Sequence, residues 1–259
     1  MPTRIEPGLR SVVVWSVLRE AVDRLAAEQG RALDVLDVGG GTGGLAVPLA
    51  GLGHRVTVLD PSPDALAALE RRVAESDLAG SVTGVQGELA DLADLAGGAG
   101  PAVSGAAPTR TVDVVLCHGV LEQVDDPAAA LAGLAAVLRP GGRASVLVAN
   151  RHAAVVSRAL GGHFAAAQTA LADPRGRWGP GDPVPRRYGP EELEALLAGA
   201  GLPVDALHGV RVFTDLVPAA SVDLEPGAGE ALRELELAVA GEPAFRAVAA
   251  QLHALATRR

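Results

Sequence analysis

Residues 35–44 read VLDVGGGTGG. Val35, Leu36 and Val38 form a short apolar run of the kind that fills a buried parallel strand. Asp37 sits at its end, and Gly39, Gly40, Gly41, Gly43 and Gly44 crowd the turn that follows. Glycine reaches positive φ and lets a ligand approach the backbone closely. Residues 45–52 then carry a helical pattern. A strand, a glycine turn and a helix open the nucleotide site of a doubly wound sheet.

The turn is not a phosphate loop, which needs Gly-Lys-Ser or Gly-Lys-Thr; the chain contains no lysine. The dinucleotide pattern GxGxxG falls on Gly39, Gly41 and Gly44, so a nicotinamide or flavin nucleotide stays in play. Asp37 argues the other way, because a carboxylate just before the turn repels a pyrophosphate and suits an ammonium group. The next strand, 55–59, ends in Asp60, about 20 residues beyond Asp37, where an acid binds ribose hydroxyls. Glycines, an early Asp and a second Asp describe a ligand with a ribose and a cationic amino-acid end. S-adenosylmethionine is that ligand.

Composition narrows the class. A chain of 259 residues allows one large domain, or a core with a smaller insertion. Apolar residues make up 49%, mostly Ala, Val and Leu, whereas aromatics are 2%, too few for a base-stacking platform. The net charge of −9 sets 22 basic residues, all arginine, against 31 acidic ones. That balance excludes a global basic footprint, so no DNA partner is expected, though a local basic face stays open. The lone Cys117 excludes an intrachain disulfide and a CxxC zinc site. Neither a signal-type apolar region nor an unbroken apolar run of about 18 residues is found. A cytoplasmic protein with no membrane partner is expected. The oligomeric state is not readable.

Around the glycine turn the pattern alternates regularly. Residues 9–30 read as a helix with Val13, Val17, Val22 and Leu25 inward; its Trp15 reads either as a lid over a ligand or as a packed aromatic. A helix opens at Ser62 or Pro63 and runs to Ser76. Strand 82–85 precedes Gly87 and Glu88. Residues 97–110 are a Gly, Ala, Ser and Pro linker. Strand 112–117 leads to His118 and Glu122 at the carboxyl edge of the sheet, where such folds bind ligands. Asp126 is the N-cap expected for a helix over 128–138. Arg139-Pro140-Gly141-Gly142 reads as a turn before strand 144–149. The order predicts an α/β, mostly parallel sheet.

Residues 151–187 hold six arginines against two aspartates, with His152, His163 and Trp178. This block reads as a helical and loop insertion, 151–189, that lids the substrate; a solvated loop is the rival. A helix over 190–198 follows. Residues 201–213 read as a late strand ending in GVRVF, and 229–255 as a largely helical segment with Leu232, Leu235 and Leu237 as partial anchors and a break near 241–243. The expectation is one domain, with its core at 30–150 and 190–218.

LDVGGGTGG and DVVLCHGVLEQVDDPAAALAGLAAVLRPGG resemble the class I methyltransferase pattern. Asn150 and His152, the basic insertion, RYGPEELEALLAGAGL, GVRVFTD at 209–215 and GEALRELELAVAGEPAFRAVA narrow the likeness. They are similar to the tRNA 5-carboxymethoxyuridine methyltransferases along nearly the whole chain. The resemblance implies a Rossmann-like, doubly wound, mostly parallel seven-stranded sheet. It implies S-adenosylmethionine as cofactor, S-adenosylhomocysteine as product, and methyl-ester formation on a carboxylate of the tRNA wobble nucleoside. It makes Arg10 a contact to the cofactor's carboxylate and Gly39, Asp60 and Glu88 cofactor contacts, Glu88 at the adenine amino group. Asp37, Gly41, Leu89 and Cys117 complete the cofactor set. Arg211 becomes the anchor of the acceptor carboxylate, and the arginines of 151–187 a face for tRNA. The family's insertion is typically lysine-rich, and this chain's is not.

A carboxylate acceptor is ionised near neutral pH and requires no base, so alignment and exclusion of water carry the catalysis. Arg211 is the expected clamp, with Arg187 and Tyr188 as weaker choices; a structural ion pair is the rival role for Arg211. His118 suits a different acceptor, a hydroxyl, as its general base. His118 and Glu122 mimic metal ligands at i, i+4, but no third ligand appears, so no metal is expected. Two other readings stand beside tRNA methylation. One is a methyltransferase for a small acid or hydroxylated metabolite, and the other a non-catalytic cofactor-binding or interaction protein.

Overall fold

A computed structural model describes residues 8–76, 78–89, 92, 111–218 and 226–259. The expected linker at 97–110 lies outside the described residues. In chain order the elements begin with α1 (Val12–Gln29), β1 (Asp34–Val38), α2 (Ala46–Gly51), β2 (Arg55–Asp60), α3 (Pro63–Glu75) and β3 (Val82–Gln86). Next come β4 (Val112–His118), α4 (Pro127–Val137), β5 (Leu138–Ala149), α5 (Arg151–Leu160), α6 (Phe164–Ala172) and α7 (Pro190–Gly199). The chain ends with β6 (Val204–Val210), α8 (Ala228–Val239), α9 (Pro243–Val248) and β7 (Gln251–Thr257). Seven strands form one sheet in the order β3-β2-β1-β4-β5-β7-β6.

The chain divides into two compact units. The first comprises Ala21–Val146, Leu196–Asp205 and Leu255–Arg259. Here β1 pairs in parallel with β2 and β4, and β2 with β3. The chain therefore steps outward from β1 to β3, then returns to β4 on the other side of β1. That reversal is a topological switch point, and ligands bind outside the carboxyl ends of the strands there. Val35, Leu36, Val38, Val114, Val115 and Leu116 are all at most 2% exposed, as strands covered on both faces require. Each such side chain contributes about 1.5–3 kcal/mol on burial.

The amino ends of these strands are tied by ions. Asp113, fully buried, accepts from Arg31 Nη1 (2.8 Å) and Nη2 (2.7 Å) and from the Asp34 N–H (2.8 Å), and it pairs with Arg139. Burial alone raises the pKa of a carboxyl group, but the hydrogen bonds from Arg31 and Arg139 outweigh it and hold Asp113 well below the usual range.

The second unit comprises Met1–Glu20, Leu147–Ala195 and Ala206–Ala254. Val12, Val13, Val14, Val210 and Ala240 form one of its apolar clusters. Asn150 caps α5 by accepting from the His152 N–H (3.1 Å), and its Nδ2 donates to Ala247 O (3.0 Å) in the last turn of α9 and to Ala249 O (2.8 Å) just past it. The insertion is α5, α6 and a fastened loop. Asp182, its side chain fully buried, takes both Arg187 Nη groups (2.6 and 2.9 Å) and the N–H groups of Trp178 and Val184 (3.0 Å each).

Four local expectations are corrected. Residues 251–255, expected to be helical, belong to β7 (Gln251–Thr257). Gly141 N–H donates to Arg258 O (2.8 Å), and Asn150 N–H to Ala250 O (3.1 Å). Partner numbers fall as β5 advances, so β7 runs against it. The same bonding draws Arg139-Pro140-Gly141-Gly142 into β5 instead of leaving it a separate turn. The late strand stops at Val210, because Arg211 takes φ +57°, a left-handed conformation that no strand continues through. On α8, Leu235 and Leu237 face outward at 45% and 37% exposure, whereas Glu236 is buried at 1%. Glu236, Val239 and Ala240 share the inward face at i, i+3 and i+4.

Candidate functional site

The glycine turn after β1 is shaped by what its missing side chains leave free. Gly39 sits at φ +68° and donates its N–H to Leu59 O at 2.7 Å. A Cβ there lies 2.3 Å from Val120 Cγ2. A Cβ on Gly40 lies 2.6 Å from the Asp37 carboxyl carbon. The turn thus lies pressed between Asp37 beneath it and Val120 from the segment after β4. Asp60 holds it from β2: Oδ2 accepts the Gly41 N–H and Oδ1 the Ser62 N–H, both at 2.9 Å.

A cavity of about 740 Å³ opens at the switch point. Gly39, Asp60, Glu88 and Leu89 line it, at or just past the ends of β1, β2 and β3. Its far wall is the amino end of α4, where Ala129, Ala130 and Gly133 leave room by their size. Asp126 does two things there. Its Oδ1 caps α4 by accepting from Ala128 and Ala129 (3.0 Å each), and it lines the cavity. Two acids at the ends of adjacent strands, a glycine backbone and small apolar residues fit a ribose, an adenine and an amino-acid tail in a space of this size.

Other assigned residues lie elsewhere. Asp37 is buried under the turn, and burial, aided by the charge of Asp60, pushes its carboxyl up to about 7. Gly41 (φ +55°) reaches the site through Asp60. Cys117 is fully buried and burial pushes its thiol up to about 12, so it offers only backbone. His118 Nε2 lies 2.8 Å from Ser145 Oγ, and burial pulls its imidazole down to about 4. Among the described residues, no group of three or more His, Cys, Asp or Glu gathers to hold a metal.

Arg10 and Arg211 belong to the other unit and meet on one carboxylate. Arg211 Nη2 is 3.1 Å from Asp215 Oδ2, and Arg10 Nη2 is 3.4 Å from Asp215 Oδ1. The arginine block is less free than its composition implies. Arg187 is committed to Asp182, Arg151 bonds Pro174 O and faces Glu192 at 4.0 Å, and Arg158 lies 4.3 Å over the Trp178 ring. Tyr188 is fully buried. Neither Arg187 nor Tyr188 is a surface residue.

Sequence reasoning did not assign Pro61, Val120 or Asp126 to the site. Asp126 carried a usable signal, a helix N-cap placed just after a strand end at the ligand edge. Val120 carried none, since its role is set by the distance to Gly39.

The sequence profile described as "Methyltransferase domain" matches residues 14–207. The chain is 33% identical over 208 residues to the tRNA 5-carboxymethoxyuridine methyltransferase of Escherichia coli (strain K12), spanning 80% of this chain and 72% of that one. It is 32% identical over 176 residues to a ubiquinone biosynthesis O-methyltransferase of Xanthomonas axonopodis pv. citri, spanning 68% and 65%. Two solved structures share the fold. One is an S-adenosylmethionine-dependent methyltransferase from Mesorhizobium loti, with TM-score 0.59, 19% identity and 97% and 100% coverage. The other is magnesium protoporphyrin IX methyltransferase from Synechocystis PCC 6803 with bound SAH, with TM-score 0.58, 16% identity and 97% and 86% coverage. Among the described residues, no helix is long and apolar enough to cross a membrane.

Proposed function

Because the chain belongs to the class I S-adenosylmethionine-dependent methyltransferases, we propose that its acceptor is a carboxylate: that of 5-carboxymethoxyuridine in tRNA, which becomes a methyl ester in the cytoplasm. When bound, S-adenosylmethionine supplies a methyl group already activated by its sulfonium. Asp60 and Glu88, which line the cavity, would hold its ribose and adenine, and the backbone at Gly39 would admit its amino-acid end.

The observation that carries a carboxylate over a hydroxyl is the placement of His118, whose Nε2 faces Ser145 Oγ at 2.8 Å and which does not line the cavity. A hydroxyl acceptor needs a base whose pKa lies near the working pH. Burial brings His118 down to about 4, far from that match. A carboxylate arrives ionised and asks only to be oriented. Arg211 has the planar donor fork for that task. It and Arg10 already share one carboxylate, that of Asp215, and an acceptor acid takes over the donors Asp215 now uses. The relative named for this tRNA nucleoside, matched across 80% of the chain, supports the acceptor.

One observation favours a small-molecule acid instead. The protein carries a net charge of −9, and Arg151, Arg158 and Arg187 are engaged within the fold. The experiment separates the two. Purified protein, S-adenosylmethionine and tRNA bearing 5-carboxymethoxyuridine are incubated, digested without base and read by mass spectrometry. The expected result is one added methyl on that nucleoside, removed by mild alkali and lost in Arg211→Ala, whose S-adenosylhomocysteine affinity stays at the wild-type value. No added methyl, with the cofactor bound, rejects the tRNA acceptor and turns the search to small acids.

A further inference from the structure

The geometry assigns Glu236, on α8, as the positioning residue of the acceptor site. Its carboxylate fixes the backbone that presents Arg211, an assignment that rests on the acceptor reading of Arg211 given above.

Glu236 is 1% exposed. Its Oε2 accepts the Val212 N–H at 2.9 Å. Its Oε1 accepts the Phe213 N–H at 2.9 Å, the Thr214 N–H at 2.8 Å and the Thr214 hydroxyl at 2.7 Å. A carboxylate is an acceptor on both oxygens, so it alone among the side chains takes four such donors without presenting one of its own. Consecutive N–H groups that turn to one side form an anion-binding concavity. In this protein the anion is Glu236.

Arg211 stands at the entry to that concavity. Among the described residues it is the one non-glycine residue at positive φ, +57°. L-residues avoid that conformation unless the surroundings impose it. Glu236 imposes it by gripping the next three residues. The same grip fixes Asp215, which holds the Arg211 guanidinium at 3.1 Å. Arg211 Nε is shielded from solvent. One carboxylate therefore sets the backbone and another aims the side chain.

The test uses the full chain and reads Arg211 in two ways. The Nε–H resonance of Arg211, assigned by its absence in Arg211→Lys, reports its shielding without any substrate. Acceptor kinetics on 5-carboxymethoxyuridine tRNA report its placement. In Glu236→Gln an amide NH₂ faces an N–H donor. The expected result is loss of the shielded resonance and a fall of about 100-fold in acceptor kcat/KM, the scale of a misplaced contact group. S-adenosylhomocysteine affinity stays at the wild-type value. Thr214→Val removes one of the four donors, keeps the three backbone N–H donors and so loosens the grip only in part, which covers the case in which Glu236→Gln does not fold. It is expected to lower the same kcat/KM by less. An unchanged resonance with unchanged kcat/KM in folded Glu236→Gln, or in Thr214→Val where that variant alone folds, overturns the assignment. Loss of cofactor affinity in step with kcat/KM also overturns it, since that marks a general structural role. A wild-type protein that forms no ester on tRNA rejects the acceptor reading, and the Arg211 resonance still decides the role of Glu236.

Discussion

Replacing Gly39 with alanine tests whether the turn and the segment after β4 are set by mutual contact. Carbon atoms in contact sit about 3.5–4.0 Å apart. The new methyl meets Val120 Cγ2 at 2.3 Å, so one side must retreat by more than an ångström. Two costs combine. Alanine at φ +68° pays about 1–2 kcal/mol for the left-handed conformation. Overpacking against Val120 adds about 1–3 kcal/mol. Both residues line the cavity, so the retreat also narrows the cofactor's seat. We expect S-adenosylhomocysteine to bind at least about tenfold more weakly, or about 1.4 kcal/mol. Val120→Ala removes the clashing methyl. In the double mutant the overpacking share returns, while the backbone share stays lost. Thermal unfolding and calorimetric titration of the four proteins close the cycle. Strictly additive losses, or wild-type cofactor affinity in Gly39→Ala, refute the reasoning.

Two further outcomes follow from buried charges. His118, lowered by burial to about 4 from 6.5, is uncharged at neutral pH. Acceptor kcat/KM should show no inflection from it between about pH 5 and 8, and one that vanishes in His118→Asn would contradict this. Its folded value lies below its unfolded value, so its share of stability is intact above 6.5 and drains as pH falls toward 4. Asp113 has the same sign for a different reason: its arginine partners depress it, so its share is present above 3.8 and lost on acidification. Asp113→Asn should cost about 2 kcal/mol at neutral pH, discounted because Arg31 is partly solvated, and should flatten the acid limb. Denaturant midpoints of mutant and wild type across pH check both, and parallel acid limbs would reject the Asp113 account.

The cofactor half was legible because its signals are local. A strand, a glycine turn and an acid at the next strand end lie within one stretch of chain, and β1, β2 and Asp60 fall where that pattern requires. The second unit was less legible because its determinants are distant in sequence. Nothing near Glu236 marks it as inward; α8 offers Leu235 and Leu237 as apolar candidates, and the donors at 212–214 decide otherwise. Residues 251–257 have helix-forming alanine and leucine, but pairing with β5 overrides that preference. The arginine block shows the limit of composition. Counting finds six charges, and only the fold shows that Arg187 is spent on Asp182.

The place of β7 sets the tempo at which this sheet can be completed. It follows β6 in the chain yet lies between β5 and β6. A growing chain therefore makes the outer strand before the one that joins it to the rest. Until residues 251–257 leave the ribosome, β5 presents an unpaired row of N–H and C=O groups, a template for pairing with other chains. The first unit's parallel strands can pair much earlier. Biosynthesis thus passes through an interval in which paired strands β1 to β4 coexist with an open edge at β5, the kind of species that chaperones shield. Closure by the last strand gives long sequence separations between partners, and slow folding is its kinetic signature.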